Sequence, residues 1–326
     1  MKFGVEFVPN IKPYEIEFLS NVAEDTGFNS VWITDHYNNR NVYAILSLLA
    51  LRTKKVNLGI GVANPFTIHP AVIASAVATI NEISYGRAIL GIAAGDKMTL
   101  QRLGIDWHKP LKRVKEAVEI IRGLTSGKRV SYSGEIFEIK NAGLDYDVNP
   151  YPIYIGAQGP KMLNLASKIG DGVLINASHP IDFKEAFKCF EELKDGFDVV
   201  AYTSLSIDND SSIAKEEAKI VVAFIVSGSP DIVLERHGLK EKAEKVRNAL
   251  KKAFSGGDWT DVKKAVDDEM VEAFSISGTP SEVLDRIEEL RKVGVTHLVA
   301  GSPIGVDKVK AIRLFGKKVI SAIHEQ

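Results

Sequence analysis

Eight short runs rich in β-branched and aliphatic residues recur from one end of this 326-residue chain to the other, each followed by a stretch with helical periodicity. The runs lie at 3–8, 30–34, 56–62, 88–94, 153–156, 172–176, 198–206 and 296–301. Helical patterns follow at 13–25, 41–52, 70–83, 110–124, 160–169, 181–194, 211–226 and 306–323. Pro13, Pro70 and Pro110 sit where a first-turn proline is tolerated, because that amide has no partner inside the helix. No Pro, Gly or Ser linker separates the units, so the pattern is that of βα repeats around a parallel sheet. Eight such units favour a closed (β/α)8 TIM barrel, an α/β fold, over an open doubly wound sheet.

Two segments exceed a minimal barrel. Residues 128–149 read as a hairpin and loop inserted before strand five. Residues 229–294 carry three charged helical patterns before strand eight, within one barrel domain spanning 1–326. Insertions of this kind cover a barrel mouth or make a subunit contact.

Composition removes several function classes. Lys and Arg number 41 against 42 Asp and Glu, a net charge of −1, so the clustered positive charge that nucleic-acid binding requires is absent. Cys189, the single cysteine, makes neither an internal disulfide nor a thiolate metal cage. The seven histidines are dispersed without zinc-ligand spacing, so no metal is expected. The longest apolar stretches, such as 71–80, are half of a membrane helix, and residues 1–10 lack a signal-peptide core; a cytoplasmic protein with no membrane partner is expected.

Side chains on a barrel strand alternate between the surrounding helices and the lumen. On strand one, Phe3, Val5 and Phe7 share the helix-facing parity, which turns Glu6 into the barrel near its C-terminal rim. The competing reading is a buried carboxylate in a structural ion pair. The same parity turns Val56, Leu58, Ile60 and Val62 outward on strand three, with Asn57, Gly59, Gly61 and Ala63 inward. On strand four Gly91, Ala93 and Gly95 face in. Small inward residues on adjacent strands predict a hollow that a flat ligand would fill, unless bulky side chains from opposite strands reach across.

Gly59-Ile60-Gly61-Val62-Ala63-Asn64 nearly matches a dinucleotide fingerprint, but Asn64 replaces the third glycine and Pro65 disfavours a helix there. Ile155-Gly156-Ala157-Gln158-Gly159-Pro160 follows a strand and opens a helix, so its free amides and the helix dipole suit an anion. A plain tight βα turn uses the same residues. Asp35, His36, Asp96 and Lys97 occupy strand C-termini, where barrel enzymes keep functional groups.

Together, Thr34-Asp35-His36, Leu58-Gly59-Ile60-Gly61-Val62 with Asn64-Pro65 and His69-Pro70, the segment from Gly86-Arg87 to Gly95-Asp96, and Tyr154 to Met162 resemble the bacterial-luciferase-like superfamily. Within it the chain looks like the F420-dependent methylenetetrahydromethanopterin reductases of methanogenic archaea, over essentially its whole length. The resemblance implies coenzyme F420 in the hollow beside strands three and four, with a non-prolyl cis peptide in a bulge at Gly61-Val62. It implies cofactor contacts from Asp35, His36, Gly61, Val62, Ala63, Asn64 and Asn176, with Gly156, Ala157, Gln158 and Gly159 as the phosphate cradle.

The implied substrate is a tetrahydromethanopterin carrying a one-carbon unit. Its ring must open to an iminium cation before accepting hydride, and protonation of the departing nitrogen assists that opening. Glu6 is the expected proton donor, and Asp96 a second carboxylate that stabilises the cation or orients the pterin. A homodimer or homotetramer is expected. The alternatives are an F420-dependent secondary alcohol dehydrogenase and a non-catalytic flavin- or deazaflavin-binding protein of the same superfamily.

Overall fold

The computed structural model describes residues 1–325. Eight parallel strands close into a barrel: Lys2–Phe7, Ser30–Ile33, Asn57–Ala63, Ala88–Ile92, Ile153–Gly156, Gly172–Ile175, Asp198–Ile207 and His297–Ile304, strands one to eight below. Each strand pairs with its neighbour in this order. Strand eight returns to strand one, with Lys2 opposite His297. Outward residues such as Phe3, Val5, Leu58, Ile60, Leu90 and Ile92 are fully buried against the helical ring, which makes that interface the main core.

The segments beyond the minimal barrel are structured. Val130–Ser133 and Glu138–Ala142 pair as an antiparallel hairpin. It is pinned to the helix Pro110–Leu124 by the buried carboxylate of Glu116, which accepts the amides of Glu135, Ile136 and Phe137 at 2.9–3.0 Å. Within 229–294, Asp231–Arg236, Lys240–Phe254, Trp259–Ala265 and Asp268–Phe274 are helices. They pack a separate apolar cluster with Ala218, Val222 and Val226 of the helix Ser211–Gly228. The last helix of that stretch, Pro280–Lys292, gives Val283, Ile287 and Leu290 to the barrel core instead. The short strand Ile276–Gly278 extends the sheet beside the end of strand seven.

Three local expectations need correction. The helix expected at 181–194 is Pro180–Phe187 only. Phe187 and Phe190 then meet edge to face at 5.4 Å, and this packing turns the chain back toward the core. The helix expected at 306–323 begins at Lys308 and passes through a π segment, Gly316–Ile320, where Gly316 lies against the Thr26 carbonyl. A short helix after strand four, Lys97–Arg102, was not anticipated.

Candidate active site

Two barrel strands depart from regular pairing, and both departures build the site. On strand three Ile60 is opposite Leu90 and Ala63 opposite Ile92, so three steps face two and the strand bulges. The Gly61–Val62 peptide inside this bulge is cis. The extra residue reverses the alternation: Val62 joins the lumen, and Ala63 is fully buried in the outer core. The expected outward Val62 and inward Ala63 are therefore exchanged, and the Ala63 side chain has no access to a ligand in the barrel. Strand eight bulges likewise between Gly301 and Ile304, around a cis Ser302–Pro303 bond.

The strand-eight bulge frees the Ser302 amide from the ladder, and it donates to Oε2 of Glu6 at 3.0 Å. Glu6 is buried, on the inner face as parity requires. Burial raises its carboxyl from 4.5 to about 7, against the opposing pulls of the Ser302 amide and of Lys308. No ion-pair partner lies against it among the described residues, so the structural salt-bridge reading fails.

The hollow predicted from Gly59, Gly61 and Gly91 is occupied at depth. A Cβ at Gly59 would come within 2.3 Å of the Trp32 indole, and one at Gly61 within 2.5 Å of the Tyr202 hydroxyl. Trp32, Ile89, Tyr154, Leu174, Val200 and Val299 fill the lumen with Tyr202 and Val62. Bulky residues from opposite strands do reach across, and small residues on strand three are their complement. Solvent reaches Gly61, Val62, Asn64, Ala93 and Gly156 at the strand ends, so ligand-accessible surface begins at the bulge.

Around that surface stand the remaining candidates. Burial raises the Asp35 carboxyl from 3.8 to about 6, and His36 beside it is exposed. Asn64 accepts the Phe66 amide at 2.9 Å, and its side-chain nitrogen lies where Gly95 has no Cβ. Asp96 is exposed; its Oδ1 accepts the amides of Met98 and Thr99 at 2.9 and 3.1 Å, capping the helix Lys97–Arg102. Asn176, Gln158 and Gly159 are exposed on the rim. Ala157 is a correction of degree: its side chain is buried in the core and its amide bonds Leu174, so a ligand meets no more than its backbone.

Gly159 is the N-cap of the helix Pro160–Ile169, supplies no side-chain cap, and has nothing within 4 Å of a Cβ. That open helix N-terminus is what an anionic group requires. Thr34 Oγ1, Tyr43 Oη and Tyr202 Oη are buried and without hydrogen-bond partners among the described residues. Orphaned polar atoms beside an accessible surface, an exposed bulge backbone and an open anion cradle fit a flat phosphorylated cofactor.

Sequence reasoning missed Tyr202 and Ser302. Tyr202 shares inward parity with Val200, and Pro303 in a central strand marks a bulge; both signals were in the chain.

Residues 8–297 match the model of the luciferase-like monooxygenase family. The chain belongs to that family. Among its members, the 5,10-methylenetetrahydromethanopterin reductase of Archaeoglobus fulgidus is 60% identical, over 98% of this chain and 99% of the relative. The solved structure of the coenzyme F420 dependent tetrahydromethanopterin reductase from Methanopyrus kandleri superposes with a TM-score of 0.91 at 44% identity, covering 98% of this chain and 99% of that one. An F420-dependent secondary alcohol dehydrogenase structure shares the fold of this luciferase-like chain, with a TM-score of 0.80 at 22% identity over 98% of this chain.

Proposed function

We propose that this chain transfers a hydride from reduced coenzyme F420 to 5,10-methylenetetrahydromethanopterin, giving the 5-methyl product. The observation that carries the reading is Glu6: a buried carboxyl at about 7, on the inner face of strand one below the barrel mouth. Full-length likeness to reductases of that name supports it.

Bound at the mouth, F420 would supply the hydride. Its contacts would be the Gly61-Val62 bulge, Asn64, Asp35 and His36, with the helix N-terminus at Gly159 and the rim residues Gln158 and Asn176 holding its phosphate-bearing arm. Glu6, half protonated near neutral pH, gives its proton to the departing ring nitrogen of the substrate, a role typically worth about 10²–10⁴-fold in rate. Ser302 occupies Oε2, which leaves Oε1 to carry that proton. Asp96 holds the helix Lys97–Arg102 at the rim and so orients the pterin. Trp32 and Tyr202 close the floor of the site.

The test is oxidation of reduced F420 by the purified protein with methylenetetrahydromethanopterin as acceptor. Turnover with secondary alcohols and oxidised F420 in its place, or preferential binding of FMN, would overturn the reading. The reading also makes the protein a cytoplasmic homodimer or homotetramer, which light scattering on the purified protein distinguishes.

A further inference from the structure

Tyr202 stands on strand seven level with Val299 of strand eight and, through it, with Gly4 of strand one. Because barrel strands are tilted, a lumen layer advances by two residues over those two strands, so the ring lies in the same layer as Glu6. The ring is fixed on two sides: Trp32 meets it edge-on at 6.0 Å, and the hydroxyl lies where Gly61 has no Cβ. The hydroxyl is buried and has no hydrogen-bond partner among the described residues. Replacing such a group by hydrogen would normally be favourable, so a buried hydroxyl held without a protein partner calls for a water or a ligand atom.

Glu6 shares its layer of the lumen. The carboxylate charge adds to burial in pushing the Tyr202 phenol far above its usual value, which places the two groups within electrostatic reach. Lys308 is the other charged group acting on Glu6, from the helix that follows strand eight. Oε2 of Glu6 is held by Ser302, and no direct hydrogen bond joins Glu6 to Tyr202. A single polar group between Oε1 and the tyrosine hydroxyl satisfies both.

We infer that Tyr202 is a positioning residue for proton transfer by Glu6, its hydroxyl donating through one bridging water to Oε1. When Glu6 gives its proton, the O–H bond on Oε1 breaks and an N–H bond forms on the substrate. Tyr202 keeps its own proton and stabilises the carboxylate left behind. The inference rests on the reading of Glu6 as the acid of the reaction.

Infrared difference titration of the full-length protein, without cofactor or substrate, reads the Glu6 carboxyl directly, with Glu6→Gln identifying its band. Tyr202→Phe keeps the ring and its packing. Losing one donor to the carboxylate raises the titration midpoint by about one pH unit. The basic limb of kcat follows by the same amount, and kcat falls about tenfold. A midpoint that does not move, or an effect on KM alone, overturns the inference. A shifted midpoint combined with near-normal turnover of Glu6→Gln leaves the Tyr202–Glu6 contact standing and removes the acid role instead.

Discussion

The backbone amide of Ser302 donates to Oε2 of Glu6 at 3.0 Å, joining the first and last barrel strands at one acid. A carboxyl with one oxygen held as acceptor carries its proton on the other. The strand-eight bulge thus decides where the proton sits as well as how tightly it is held.

Replacing Glu6 with Gln keeps the shape and the acceptor for Ser302 while removing the titrating proton. The expected result is a kcat lower by about 10²–10⁴-fold with F420 affinity retained. Steady-state rates beside a fluorescence titration of the cofactor check it, and turnover within a few-fold of the parent would reject the acid role.

The same substitution has an opposite effect on stability. Glu6 titrates at about 7 when folded and near 4.5 when unfolded. The folded state therefore binds more protons between those values, and stability is lost as pH rises from 4.5 to 7. Glu6→Gln abolishes this loss, so its stability relative to the parent improves by up to roughly 3 kcal/mol between acid and neutral pH. Urea unfolding of both proteins at pH 4.5 and 8 measures it; parallel behaviour would show that Glu6 is not buried in its acid form.

At the other end of the barrel, His297 is buried, with Nε2 3.1 Å from Ser30 Oγ and Nδ1 without a partner among the described residues. Burial lowers it from 6.5 to about 4, with Asp198 pulling the other way and Lys2 adding to the depression. The unfolded state then binds more protons, so this stability is complete above pH 6.5 and disappears as pH falls toward 4. His179 is lowered to about 4 by burial and by Arg286, and adds in the same direction. Glu6 and Asp35 add stability in the opposite direction over this window, so the check is a difference: from pH 8 to 4 the melting temperature of His297→Gln should lose less, or gain more, than that of the parent.

The floor of the site makes a packing prediction. Gly59→Ala drives a methyl to within 2.3 Å of Trp32, whose indole is confined by Tyr154 and Tyr202. Overpacking of this kind costs about 1–3 kcal/mol. An unchanged denaturation midpoint would mean that the lumen is loosely filled.

How far the sequence anticipated this molecule follows from what alternation can encode. Eight strands were legible as short apolar runs, and the inward Glu6 because side-chain direction alternates along any strand, a local property. Val62 and Ala63 were misassigned because a bulge adds one residue without changing composition, and every side chain beyond it changes face. The hollow was misplaced for a related reason: Gly59 and Gly61 announce absent side chains, and the space is filled by Trp32 of the neighbouring strand and by Tyr202, from a strand some 140 residues away. The family resemblance gave the cis Gly61–Val62 bond, which no periodicity contains.

Asp96 offers the sharpest separation of charge from geometry. Its Oδ1 caps the helix Lys97–Arg102, and its side chain is exposed, where water screens a carboxylate from any developing cation. Asn caps as well as Asp, so Asp96→Asn removes the charge and keeps the helix start. Asp96→Ala removes both and destabilises the cap by about 0.5–2 kcal/mol. A role in orienting the pterin through this helix gives near-parental kcat and KM for Asp96→Asn and a raised KM for Asp96→Ala. If Asp96→Asn instead loses kcat as deeply as Ala does, the carboxylate acts by its charge, and the rim closes around the substrate more tightly than its exposure here implies.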